Sequence, residues 1–337
     1  MFSNRILRKA LPSLESVAEK NWVISPAENP VTRPAYFLPN QLERVTGWEF
    51  SGEHPRRAME GGVTAHGATR AYLVKNVWLN DGTIYSREAR NWLAPRSRWF
   101  PGIRVDHEFA RGAVMSTVGG IQYFGRWLMD DCSTYLMACD EGMPVTAALH
   151  IGAHTLGYEA WLGMKPARLR SVFFRELVFF DDVGQTRHKR HRQRILTEKL
   201  LSRVTKHTHP GVFIVRGRTG AARRLHNEWE IADYLRQKRG FRILDPSQAD
   251  VPTIVATCAG ARIVAGIEGS GLSHGARVLE PGSGILALQP PNRFVDVYKH
   301  RADLAGVHFG FVVGSLEGDG FRVDPVEVER TLDLFPA

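Results

Sequence analysis

The sequence predicts an α/β protein with two core-bearing lobes, and three observations carry that expectation. At 337 residues the chain exceeds the size usual for one domain. Its second half alternates short apolar runs with helix-like periodicity, at the spacing of a parallel sheet with crossover helices. The stretch His207-Thr208-His209-Pro210-Gly211 reads as a connector between that half and an earlier mixed pattern. The expected divisions are an irregular arm over 1–65, a first lobe over 66–206 and a second over 207–337.

The arm is rich in Pro, Asn and Glu and shows little sustained periodicity. From 71 to 79 the pattern becomes that of a strand, and Asn80-Asp81-Gly82-Thr83 turns it into a hairpin with Ile84-Tyr85. A strand over 113–118 precedes a Gly119-Gly120 break and a helix over about 122–138. Residues 145–149 read as strand, 154–163 as helix, 170–180 as one or two strands and 187–206 as helix.

In the second half, 211–216 is a buried-type strand. Asn227 is placed to cap a helix, with Glu230 completing a capping box and Gly240 ending it. Strand 241–244, helix 246–259, strand 262–267, helix 272–279 and strand 284–289 follow. Four strands and three helices make a β-α-β-α-β-α-β unit.

Composition narrows the function. A hydrophobic share of 43 % with 23 % charged residues is that of a folded globular chain. No apolar run is long enough to span a bilayer, and the basic start breaks before any signal-like core, so a cytoplasmic protein is expected. Cys132, Cys139 and Cys258 form no CxxC pair and are expected to be reduced and buried, with no zinc, no other metal and no cofactor. A net charge of +9 favours anionic partners. No nucleic-acid recognition motif is present, so nucleic acid is not an expected partner. The run Arg187-His188-Lys189-Arg190-His191-Arg192-Gln193-Arg194 opens a helix whose basic face is either merely solvated or in contact with a membrane surface or lipid-linked phosphate.

Ligands of open parallel sheets sit beyond the carboxyl ends of the strands. Two loops fit. The loop from Arg216 to Arg224 carries Arg216, Arg218, Arg223 and Arg224 among small residues, and guanidinium groups suit phosphate because they offer paired donors and stay charged. The alternative is a mobile surface loop. The second loop, Glu268-Gly269-Ser270-Gly271, allows close backbone approach, with Glu268 able to accept sugar hydroxyls, act as a base or pair with an arginine. Further upstream, Trp127 lies beside Asp130 and Asp131 on a helix, a ring and carboxylates that suit a sugar. An ordinary Arg126–Asp130 pair with Trp127 in the core is the alternative. His150 and His154 lie near a strand end and are more simply satisfied histidines.

The stretches Val215-Arg216, Arg224-Leu225-His226-Asn227-Glu228, Gly240-Phe241 and 263–289, with Trp127-Leu128-Met129-Asp130 and 77–86 upstream, resemble the family 61 glycosyltransferases, a group including capsular-polysaccharide-type bacterial proteins. The resemblance covers about 70–295 and is strongest over 211–291. It implies a GT-B fold, two Rossmann-like lobes facing across a cleft, with the nucleotide-sugar donor on the second and a glycan or lipid-linked glycan acceptor on the first. It implies inverting, metal-independent transfer in bacterial surface polysaccharide synthesis. On this basis Arg216, Arg218 and Arg224 hold the diphosphate, Asn227 and Glu228 orient that loop or meet the donor, and Gly269, Ser270 and Gly271 line it. Trp127 and Arg126 lie on the acceptor side, and the base is Asp130, then Glu268, then Asp131, in order of preference. Two positions depart from the common family pattern, Glu268-Gly269-Ser270 where many members have His-Gly-Ala, and Arg126 where many have His. A non-catalytic sugar-binding protein on the same scaffold is the alternative function. The sugar, nucleotide, acceptor, linkage and oligomeric state stay open.

Overall fold

The computed structural model describes residues 12–49, 53–93, 105–148, 151–217 and 223–336. They form a mixed α/β fold, the class expected from the sequence, that divides into two compact units. The first comprises residues 1–26, 68–152 and 164–182, and the second 27–67, 153–163 and 183–337. None of the described helices is long and apolar enough to cross a membrane.

The first unit is built on an eight-stranded mixed sheet. Its spine is the antiparallel pair Thr69–Asn80 and Ser171–Asp181. Asp81 and Gly82 both have positive φ, as a two-residue hairpin turn needs, and they lead into Thr83–Tyr85 and then Arg90–Trp92. On the other flank His107–Val114, Met143–Ala147 and Ala167–Leu169 run parallel to Ser171–Asp181 and to one another. Lys20–Ser25 adds a strand against Thr69–Asn80. Val74, Val77, Leu79, Val145, Phe174 and Leu177 point inward and form the core.

Parallel strands need a crossover. Here it runs through helices Val118–Gln122 and Phe124–Arg126, a widened π turn over Trp127–Asp131, and helix Cys132–Glu141. The single helix expected over 122–138 is therefore segmented. Thr117 starts it, its hydroxyl accepting from Gly120 N at 3.0 Å.

The second unit carries the clearer sequence pattern. Its principal elements are α1 (Ala153–Leu162), α2 (Arg187–Leu201), β1 (His209–Ile214), α3 (Glu228–Arg239), β2 (Arg242–Leu244) and α4 (Val251–Cys258). Then come β3 (Ala261–Ile267), α5 (Leu272–Ala276), β4 (Gly284–Gln289), α6 (Val297–Ala305), β5 (His308–Val313) and α7 (Pro325–Leu332). The five strands are all parallel in the order β2-β1-β3-β4-β5. β4 is buried along its whole length, which is why it reads as a continuous apolar run.

Both faces of the sheet are covered. Phe213, Ala265, Leu286, Leu288 and Val312 pack with Ile231 and Leu235 of α3 and Val328 and Leu332 of α7. Each such leucine or isoleucine contributes about 1.5–3 kcal/mol by leaving water. On the other face α5 lies so close that a Cβ on Gly275 would meet Val264 Cγ1 at 2.6 Å. The chain steps outward from β1 to β2, then returns past β1 to β3. That reversal leaves a crevice at the carboxyl ends of β1 and β3, the place where such sheets bind ligands.

Sequence reading expected four strands; β5 is the fifth, lying beyond the Pro290-Pro291 break. Its outer edge is covered by the segment around Tyr36, whose backbone pairs with Phe309 and Phe311 at 2.8 and 3.1 Å. A parallel-sheet edge left open would invite aggregation, and this strap closes it.

Candidate active site

Three loops leave the carboxyl ends of β1, β3 and β4 and bring arginines to one place. Arg216 follows β1 and Arg293 follows β4, while Arg223 lies at the far end of the β1 loop. Arg223 donates from Nη1 to the main-chain oxygen of Glu268 at 3.0 Å, and its guanidinium is ion-paired with the Glu268 carboxylate. Arg216 reaches the same Glu268 oxygen at 3.4 Å. Arg293 is held by a two-pronged pair with Glu49, at 2.6 and 2.7 Å.

The backbone beneath these side chains is fixed by other residues. Glu228, first residue of α3, accepts from the N–H of Arg216 at 2.6 Å and of Gly217 at 3.0 Å, so its carboxylate shapes the β1 loop. Asn227 does not cap α3 with its side chain. It donates instead to Val323 O at 2.8 Å and accepts from Val323 N at 3.2 Å, tying the loop to a neighbouring strand segment. An amide can satisfy a passing backbone on both its atoms, and that partner outcompetes the local cap. Gly269 has φ 144° and donates no side chain, and a Cβ there would stand 2.1 Å from Arg216 Nη1. Buried Tyr298 donates to Gly269 O at 2.7 Å and shares a hydrogen bond with Ser273 at 2.7 Å. Ser270 and Gly271 are half-exposed beside them.

Electrostatics mark the cluster. Burial, then the neighbouring charges of Arg293 and Arg216, lowers the Arg223 guanidinium to about 10. Burial likewise lowers Arg216. Burial pushes the Glu228 carboxyl up, against the pull of its two backbone donors. Arg223 Nε is buried and finds no hydrogen-bond partner among the described residues. Like charges gathered in a partly dry place repel, and an anion that satisfies them is bound correspondingly well.

Arg224, the sequence candidate, points elsewhere. Its side chain is 60 % exposed and sits 3.6 Å from Asp319, whereas that of Arg223 is 11 % exposed. Arg218 lies outside the described residues, as does His150. Arg223 belongs to the arginine loop singled out in the sequence without being assigned a donor contact there, and Arg293 and Glu49 carry no sequence motif. For Arg223 the signal was present in the loop composition but not its register; for Arg293 the position after a buried strand was the available clue.

In the first unit, Asp131 is fully buried and accepts from Thr117 N at 3.1 Å and Thr117 Oγ1 at 3.0 Å. Gly120 is required above it, since a Cβ would meet Asp131 Oδ2 at 1.8 Å. Asp131 thus holds the crossover in shape. Asp130 is half-buried in the π turn, a geometry that often accompanies function. Trp127 is buried against Phe124, with ring centroids 5.8 Å apart, and Arg126 is exposed, its stem under Gly119.

Two of the three cysteines, Cys132 and Cys258, are buried as expected, while Cys139 is exposed because it falls on the outer face of its helix. His154 donates from Nε2 to Ala249 O at 2.9 Å and stands edge-on to buried His274, whose Nδ1 shares a hydrogen bond with Tyr158 Oη at 3.0 Å. This trio packs α1 and α5 within the second unit.

Residues 95–286 match the sequence model of the family described as Glycosyltransferase 61. No curated protein matches the chain.

Proposed function

The chain belongs to glycosyltransferase family 61 and is a glycosyltransferase; from that premise we propose that it transfers a sugar, with inversion, from a nucleotide-sugar donor to a glycan or lipid-linked glycan acceptor in bacterial surface polysaccharide synthesis. The observation that carries this is the convergence of Arg216, Arg223 and Arg293 at the switch point of the second unit's sheet. A diphosphate is the ligand chemistry that matches this cluster, because guanidinium groups offer paired donors to phosphate oxygens and keep their charge near neutral pH; Arg223 brings a buried Nε with no partner among the described residues, and Arg293, paired with Glu49, adds its charge.

In the proposed reaction the acceptor hydroxyl attacks the anomeric carbon from the face opposite the diphosphate. The carbon–oxygen bond to the diphosphate breaks, and its electron pair goes to the phosphate oxygen held by Arg216 and Arg223. These charges stabilise the leaving group as it forms, so the step needs no metal. The hydroxyl proton passes to a carboxylate. Asp130 is our choice of base: it is half-buried in the π turn beside Trp127, whereas Asp131 is wholly buried and holds Thr117 and Glu268 is buried against Arg223. The GT-B fold that the family resemblance implies is part of this proposal. Three free cysteines suit a reducing, cytoplasmic location.

The test is turnover of a nucleotide-sugar panel with glycan acceptors, scored by nucleoside diphosphate released. We expect one donor class to be consumed and Asp130→Asn to lower kcat by about 10²–10⁴-fold while leaving donor affinity intact. Full activity in Asp130→Asn would remove Asp130 from the mechanism, and no turnover with any donor would refute the choice of donor chemistry.

A further inference from the structure

At the opposite edge of the second unit's sheet, where His308 opens β5, three valines stand in solvent. Val31, Val63 and Val183 are 79 %, 73 % and 82 % exposed. They belong together. Val31 and Val63 are register partners in the short ladder of Val31–Thr32 with Gly62–Val63. The loop of Val183 abuts that ladder's base, since a Cβ on the next residue, Gly184, would meet Gly67 O at 2.2 Å. The same hairpin touches the start of α2, where the Glu28 carboxylate accepts from Arg187 N at 3.1 Å.

Around the valines the charge is basic. Arg187 and Arg194 are 89 % and 66 % exposed, and Arg33, Arg190 and His191 are exposed as well. Carboxylates offset part of this charge: Glu28 holds the first N–H of α2 and lies 3.7 Å from Arg187, Glu198 pairs with Arg194 and Asp181 is exposed beside Val183 in the chain, while Asp303 is taken by buried Lys299; Arg33, Arg190 and His191 add to the basic side. A groove of about 700 Å³ runs between hairpin and helix, lined among others by Val31, Arg33, His66, Arg187, Arg190 and His308.

Exposed apolar tips ringed by arginines are costly in water and suit one partner chemistry, an anionic lipid bilayer, whose headgroups meet the arginines while the valines enter the interface. We propose that this face of the second unit docks on an anionic membrane surface. It lies at the amino ends of the strands, away from the arginine cluster at their carboxyl ends, so docking leaves the donor site open. The surface is independent of which donor the site takes.

The test is cosedimentation of the whole chain with phosphatidylcholine vesicles and with phosphatidylcholine–phosphatidylglycerol vesicles, at low and high salt. Binding is expected with the anionic vesicles alone and weakens as salt screens it. Arg187→Ala and Arg194→Ala should each lower the partition coefficient about fivefold. Val183→Asp and Val31→Asp should weaken it further while thermal unfolding stays unchanged, since both side chains are exposed. Equal binding to both vesicle types, no binding to either, or wild-type binding by both valine variants would overturn the proposal.

Discussion

At the scale of single residues, neighbours in the sequence have opposite environments. Arg223 and Arg224 are chemically identical, yet one is nearly enclosed and the other pairs at the surface with Asp319. The sequence made the loop legible as an arginine-rich anion site, because composition survives without coordinates. Which arginine turned inward depends on a two-residue strand, Arg224–Leu225, that pairs with Gly320–Arg322 nearly a hundred positions later, and no local pattern encodes that. Gly269 is required by geometry. Gly269→Ala places a methyl against Arg216 at a φ that disfavours side chains, and should destabilise the protein by about 1–3 kcal/mol and displace Arg216; thermal unfolding reads the first effect and donor affinity the second. His274 gives a pH prediction. Burial, then the nearby His154, lowers its pKa from 6.5 to about 3. The unfolded imidazole takes a proton below 6.5 and the folded one does not until about 3, so stability present above 6.5 is lost as pH falls through that window. The slope is about 1.4 kcal/mol per pH unit at most. His274→Gln, which does not titrate, should show a correspondingly flatter loss of stability in denaturant melts between those pH values.

At the scale of elements, the parallel strands of the second unit were legible because each is buried on both faces and reads as an apolar run between turn residues. The crossover of the first unit was legible as helix but not as a segmented one. Its π turn over Trp127–Asp131 is imposed by tertiary ties, chiefly Asp131 gripping Thr117 from fourteen residues away. Removing the grip should therefore act locally. Asp131→Ala removes both hydrogen bonds to Thr117 from a fully buried side chain and should cost about 1–3 kcal/mol, seen as a lowered melting temperature. Because Asp131 lies in the first unit, nucleoside diphosphate affinity should remain near wild type. Helix α3 shows how one element serves both fold and site: Ile231 and Leu235 anchor it in the core, and Glu228 at its start sets the path of the β1 loop through Arg216 and Gly217.

At the scale of the whole molecule, residues 27–67 and 153–163 belong to the second unit through contacts such as Tyr36 with β5 and Tyr158 with His274. Contacts of this range leave no periodic trace in the sequence, so they were invisible where the sheet was not. The +9 charge was legible, and within the second unit arginines gather at two places, a guanidinium cluster at the carboxyl ends of the strands and an exposed face toward their amino ends. Bound nucleoside diphosphate should slow amide exchange at 215–217 and 268–274, around β1 and β3, more than anywhere in the first unit. The most direct test is calorimetric titration of a nucleoside diphosphate into the wild-type protein and into Arg216→Ala, Arg223→Ala and Arg224→Ala. The account predicts at least a tenfold loss of affinity for the first two variants, about 1.4 kcal/mol or more each, and near wild-type binding for the third. Loss of binding in Arg224→Ala with full retention in Arg223→Ala would contradict it.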